Sequence, residues 1–237
     1  MKRLLKSHIA LLAWRLALLY AVLAICRAIF WRYNYAGIGP LADAELPALA
    51  RGALLFDTVS VLYANALLIV LSLNPLHLRE RRWWQRMLYF YYVVVNALLV
   101  VAVNLGDAVY FRYTQKRFTA EEIFFADNDN SLQLVGKFMA ENIPLLLAGI
   151  GLIALLALAG GRKARPEPLC RRPLCYYGGG TVLLVVAALL SVAGMRGGVT
   201  RMTRPVTLSN ATLYASDNAR ANLILSNPFC ILRTVGS

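Results

Sequence analysis

Five long apolar runs divide the chain, and charged and polar residues gather in the short segments between them. A helix crosses ~30 Å of hydrocarbon with about 20 residues at ~1.5 Å rise each. Helix is the form such runs must take, because the bilayer core offers no water to unpaired backbone groups. The runs cover His8–Trp31, Leu49–Leu73, Met87–Phe111, Ile143–Gly160 and Tyr177–Met195. Their punctuation agrees with helices. The second ends at Asn74-Pro75, and the fourth carries Pro144 in its first turn and stops at Gly160-Gly161, where the ring and the glycine pair are tolerated best. The pattern predicts an all-α membrane protein, a five-helix bundle over residues 1–195.

Composition agrees, with 59% hydrophobic residues and a mean hydropathy of +0.57, too apolar for an ordinary soluble domain. A net charge of +13 would suggest a nucleic-acid partner in a soluble protein. Here the basic residues lie between apolar runs, which assigns them to orientation and leaves no nucleic-acid partner expected. Lys2, Arg3 and Lys6, then Arg79, Arg81, Arg82 and Arg86, then Arg162, Lys163, Arg165, Arg171 and Arg172 occupy alternate connections, with only Glu80 and Glu167 opposing them. The other connections mix basic residues with Asp43, Glu45, Glu121, Glu122, Asp127, Asp129 and Glu141. Positively charged loops are retained in the cytoplasm. The N-terminus is therefore expected inside and the C-terminus outside, in a multi-pass protein of a cytoplasmic (inner) membrane. Trp31 and Tyr33 at one face and Trp83 and Trp84 at the other suit interfacial anchors.

Polar residues inside the runs are the candidate chemistry. An ionised Asp57 facing lipid would cost on the order of 2.5 kcal/mol or more, so it is expected to face the bundle. Asn96, Asn104 and Asp107 fall at angles of about 0, 80 and 20 degrees on an ideal helix and share one face. Asp57 and Asp107 both belong to the outer half, where Arg27, Arg51 and Arg112 are available to neutralise them. Two readings stand side by side: a pocket for a lipid headgroup whose phosphate the arginines grip, and a set of ion pairs that lock helices together.

The longest connection, Arg112–Asn142, reads as an amphipathic external segment, with apolar positions from Ile123 to Met139 interrupted by the turn Asp127–Asn130. Cys170 and Cys175 lack the further ligands a zinc site requires, and no metal site is expected. No nucleophile elbow, zinc-protease helix or phosphate-binding loop occurs, so no catalytic residue is assigned. After Met195 the chain turns polar, and residues 196–237 read as an external linker, too short for a sizeable core but long enough for a helix or two against the membrane.

Three stretches carry a resemblance: RGALLFD (Arg51–Asp57), NLGDAVYFRYTQKRFT (Asn104–Thr119) and RPVTLSNATLYASDNARANLILSNPFCILRT (Arg204–Thr234). With them the chain resembles the membrane portion of lipoteichoic acid synthase-like proteins of the alkaline phosphatase and sulfatase superfamily, in their Bacteroidetes-type versions. The resemblance implies five helices followed by a large external α/β domain, in which a Thr nucleophile and a divalent metal, commonly manganese, act on phosphate or sulfate esters. No such nucleophile or metal ligand maps onto this sequence, which ends at Ser237. A truncated chain and a free-standing membrane module are both open.

The expected function is that of a membrane anchor and lipid-presenting module of an envelope phosphoglycerol transferase or sulfatase-like enzyme. Its expected partners are membrane lipids and an external catalytic domain. The alternative is a noncatalytic membrane protein that binds a lipid or protein partner through the polar cluster and external segment. A transporter would need a polar path through both leaflets, whereas the buried charges gather toward one side.

Overall fold

The structure is a computed structural model that describes residues 7–121, 141–161, 172–198 and 206–235. The described residues are helical, without strands. We label the long helices α1 (His8–Tyr33), α2 (Leu46–Leu73), α3 (Arg82–Thr114), α4 (Ile143–Ala159) and α5 (Pro173–Arg196), and two short ones α6 (Asn218–Ile224) and α7 (Asn227–Thr234). Four of them, α1, α2, α3 and α5, are long and apolar enough to cross a membrane, and α4 is a shorter apolar helix of 17 residues.

Local chemistry sets the ends. The Ser7 side chain accepts the Ala10 N–H at 3.1 Å and caps α1, satisfying one of the donors every helix start leaves free. Prolines occupy the first turns of α2, α4 and α5, where the missing N–H has no partner to lose. α5 stops at Gly197, whose left-handed φ of 77° is easy only for glycine. All the long helices but α4 extend past the apolar runs: α3 begins at Arg82 and ends at Thr114. Hydropathy locates the stretch that suits hydrocarbon, whereas backbone hydrogen bonding continues into the polar ends. Within α3, Ala97–Ala102 forms a π-helical segment directly after Asn96.

The five long helices alternate in direction. Arg27 and Tyr20 of α1 meet Asp57 and Thr58 near the start of α2. Arg15 and Phe30 of α1 lie beside Tyr92 and Phe111 of α3, in the same order along both helices. The C-terminal carbonyls of α4 return to the beginning of α1: Trp14 Nε1 donates to Ala159 at 2.8 Å and Arg15 Nε to Gly160 at 3.0 Å. Tyr89 of α3 adds a third donor, to Ala157 at 2.7 Å, so the orphan acceptors at this helix end are capped by neighbouring helices. α5 runs against α2, with Gly180 beside Pro75 at one end and Gly194 beside Leu62 at the other. The first residue of α1 and the last of α5 therefore lie at opposite ends of the bundle.

The main core joins α1 to α4 through residues such as Leu19, Val22, Leu68, Tyr92, Val100 and Leu156, all but fully buried. Midway, Asn65 of α2 and Asn96 of α3 exchange amide hydrogen bonds at 3.0 and 2.9 Å. Beyond them, at the end where α5 finishes, the core is completed by residues 206–235. Phe56 and Val59 of α2 pack with Ile224, Phe229 and Cys230, and Phe30 and Phe111 pack with Leu223. The segment read from sequence as an external linker thus contributes buried side chains to the bundle, because its Leu223–Cys230 run is apolar and has a polar seat to dock on. The external amphipathic segment 123–139, the Asp127–Asn130 turn and Cys170 lie outside the described residues.

Candidate functional site

At this end of the bundle two buried carboxylates each hold one arginine, and each arginine holds the tail. Asp57 is 3% exposed and Asp107 1% exposed. Arg27 pairs with Asp57 through both terminal nitrogens, at 2.8 and 2.7 Å, the two-pronged geometry that suits guanidinium and carboxylate. Its Nε donates to the carbonyl of Leu223 at 2.9 Å and its Nη2 to that of Ile224 at 3.1 Å. Asp107 pairs with Arg117. Arg117 donates in turn to the carbonyls of Asn222 and Leu225 and lies over the Phe30 ring at 3.8 Å.

The four carbonyls captured, Asn222 to Leu225, are those at the C-terminal end of α6, which have no acceptor role left inside the helix. A cation there also meets the negative end of the aligned peptide dipoles. Two carboxylates and two guanidiniums leave the cluster neutral, the condition under which buried charge is tolerated. The following residues are fixed by amides and hydroxyls. Asn104 Oδ1 accepts the Asn227 N–H at 3.1 Å, Asn227 Nδ2 donates to Phe118 at 3.0 Å, and Ser226 and Ser60 share a hydrogen bond of 2.6 Å. Gly52 lets the tail approach: a Cβ there would stand 2.9 Å from both Ile224 and Tyr214.

Of the residues singled out by sequence, Arg27, Asp57, Asn104 and Asp107 converge here. Arg51 and Arg112 do not join them. Arg51 is exposed on α2, one residue before the glycine that seats the tail, and Arg112 stacks over Tyr33 at 5.0 Å. Arg117 pairs with Asp107, although the sequence offered Arg27, Arg51 and Arg112 as the cations for the two carboxylates. It lies beyond α3, and the chain reverses at Gln115, a left-handed residue with φ 56°, so that Arg117 comes back along the helix. The same reversal brings the Phe118 N–H to Asp107 Oδ1 at 2.7 Å. Helical periodicity carries no signal for such a return. The tail's share was equally hidden, although its mix of buried-type residues and Asn-Pro-Phe was visible.

A second, half-buried clamp lies nearby. Arg220 donates to Glu45 at 2.7 Å and pairs with Asp217, the N-cap of α6. The Arg220 backbone N–H holds the Asp217 carboxyl below its ordinary range. Burial pushes the Cys230 thiol up to about 12, so it is an inert core group. Among the described residues no three His, Cys, Asp or Glu side chains gather as metal ligands.

Beside Arg27 lies an open groove of about 280 Å³ between α1, α2 and the tail. Ala24, Ala28, Ala50 and Ala53 form its walls together with Trp31 and Leu223, and Arg27 is the polar side chain among its lining residues.

No protein-family model, curated protein or solved structure matches the chain. The three stretches that carry the sequence resemblance nonetheless meet in one place: Gly52 and Asp57 from the first, Asn104, Asp107 and Arg117 from the second, and Asn222–Asn227 from the third.

Proposed function

We propose that this chain is the membrane anchor of an envelope enzyme of the phosphoglycerol transferase or sulfatase-like type, whose chemistry resides in a domain outside residues 1–237. The observation that carries the proposal is the lock on the tail: four main-chain carbonyls held by two buried, carboxylate-paired arginines. A segment that served only as a tether would need no such seat. A seat of this kind suits an anchor that must hold an attached domain at a defined height and orientation above the bilayer.

In this proposal all five long helices cross the membrane, with the N-terminus in the cytoplasm and the tail at the external face. The alternation of helix direction supports five crossings, and the capped C-terminus of α4 supports a short span of about 26 Å at ~1.5 Å per residue. The excess of Arg and Lys at the opposite end supports the orientation. Reporter cysteines at Ser209 and Arg81, labelled by an impermeant reagent in intact spheroplasts, test it: Ser209→Cys is expected to react and Arg81→Cys to react only after lysis. The reverse result would invert the topology.

The enzyme assignment is tested by phosphoglycerol release from labelled phosphatidylglycerol, with and without manganese. The assay compares residues 1–237 with the protein extended through any downstream reading frame. Metal-dependent turnover by the extended form alone is expected. A folded extended protein that releases nothing would favour the noncatalytic reading, in which the groove beside Arg27 binds a lipid or a partner.

A further inference from the structure

The ion-pair cluster and the groove suggest opposite ligands, and hydrogen-bond arithmetic decides between them. A guanidinium carries five N–H donors and no acceptor. Arg27 places one on Leu223, two on Asp57 and one on Ile224. One Nη1 hydrogen remains without an acceptor among the described residues. Its charge is already matched by Asp57 in a two-pronged pair, so the site has no net attraction for a phosphate.

Arg27 lines the groove among otherwise apolar walls, and the Nη1 hydrogen is the one donor it has left to offer there. Four alanines hollow it out along two helices long and apolar enough to lie in a bilayer. Ala24, Ala28 and Ala50 are exposed there, and the indole N–H of Trp31 is already taken by Gly39 at 3.1 Å. A neutral acceptor attached to a hydrocarbon chain satisfies both the donor and the walls.

We infer that the groove between α1 and α2 binds the acyl-ester part of a diacyl membrane lipid, with the ester carbonyl on Arg27 and the acyl chain along the alanines. The headgroup then lies toward the surface and is not read by Arg27, whose other donors are taken by Asp57 and the tail, or by Arg117, whose donors go to Asp107 and the tail. The inference rests on the membrane-spanning reading of α1 and α2, and names a ligand that the phosphate-gripping reading would not predict.

Photo-crosslinking in nanodiscs tests it, using the full chain and diacyl lipids that carry a diazirine on the acyl chain next to the ester. The exposed α5 face at Leu189 and Leu190, 66% and 65% exposed, reports contact with bulk lipid. Labelling of the Ala24–Trp31 and Leu46–Ala53 peptides is expected to exceed that of α5, equally for phosphatidylglycerol and phosphatidylcholine probes. Ala28→Phe or Ala50→Phe, which fill the groove from exposed positions, are expected to remove the excess and leave the α5 signal unchanged. An ether-linked analogue, lacking the carbonyl, is expected to label about fivefold less, the size of one ordinary hydrogen bond.

Groove labelling no stronger than on α5, or indifferent to both Phe variants, would overturn the site. Labelling by the anionic probe alone would overturn the neutral ester in favour of a site that reads the charge of the headgroup. Equal labelling by the ether analogue or by an isoprenoid probe would overturn the role of the Arg27 donor. Absence of label from α5 as well would remove the membrane reading itself, together with the inference built on it.

Discussion

Arg117 reaches Asp107 from ten residues further along the chain, and it arrives pointing back along the helix that carries its partner. The left-handed Gln115 makes the return possible. The pair thereby couples three pieces of chain: the body of α3, the irregular segment that follows it, and the end of α6, whose carbonyls Arg117 also binds.

Breaking that pair on one side leaves a buried charge with no counterion. Asp107→Asn is expected to destabilise the docked tail by on the order of 3–5 kcal/mol, read as protease cleavage between residues 206 and 235 under conditions where the parent is resistant. The double variant Asp107→Asn with Arg117→Leu removes both charges and is expected to recover part of the loss. A double variant as labile as the single would show that the charge itself is not the cause.

Gly52 is the second lever on the same seat. Gly52→Leu places side-chain atoms where Ile224 and Tyr214 already lie, a clash expected to cost about 1–3 kcal/mol. Cys230 reports it, since it is fully buried in the docked tail. Its labelling by a thiol reagent at neutral pH is expected to be slow in the parent and markedly faster in Gly52→Leu. Equal rates would mean that the tail tolerates the intrusion.

The same thiol gives the tail an alkaline limit. Burial pushes Cys230 up to about 12, while an exposed cysteine ionises near ~8.5. The undocked state therefore loses its proton first as pH rises, and stability declines above the ordinary thiol value and continues to decline toward the raised one. Tail protection from protease is expected to be level between about pH 5 and about pH 8 and to fall above that window, and Cys230→Ala is expected to flatten the alkaline slope. An unchanged slope would assign the alkaline loss to another group.

In mid-bundle, Asn65 and Asn96 satisfy each other. Asn65→Leu strands the Asn96 amide and is expected to lower stability by about 1 kcal/mol, since interhelical polar contacts in membranes are modest. Adding Asn96→Leu is expected to return most of it. Thermal unfolding in detergent checks both, and a double variant worse than the single would mean that the pair contributes more than mutual satisfaction.

What the sequence made legible follows from which forces are local. The apolar runs around Leu19, Leu68 and Leu156 marked the helices, because bilayer length and backbone satisfaction demand them there. Asp57 inside a run demanded a cation, and Arg27 was near enough in the pattern to be among the candidates. Arg117 was not, since its position depends on a reversal at one residue, Gln115, that helical spacing does not record. The tail was hidden for a related reason. Its two helices of seven and eight residues are too short to announce themselves by periodicity. They are held by a surface built from Gly52, Asn104 and two arginines scattered across the chain.

The π-helical segment Ala97–Ala102 separates Asn96, which faces α2, from Asn104 and Asp107, which face the tail and its clasp. A wide turn advances the chain by less rotation per residue than an α-turn, so α3 behaves like two gears keyed to different partners on one shaft. Deleting a single residue there would turn the upper gear against the lower. Asn96 could keep its place beside Asn65 while Asp107 swung away from Arg117, releasing the tail through a change in a segment whose own side chains form none of the clasp.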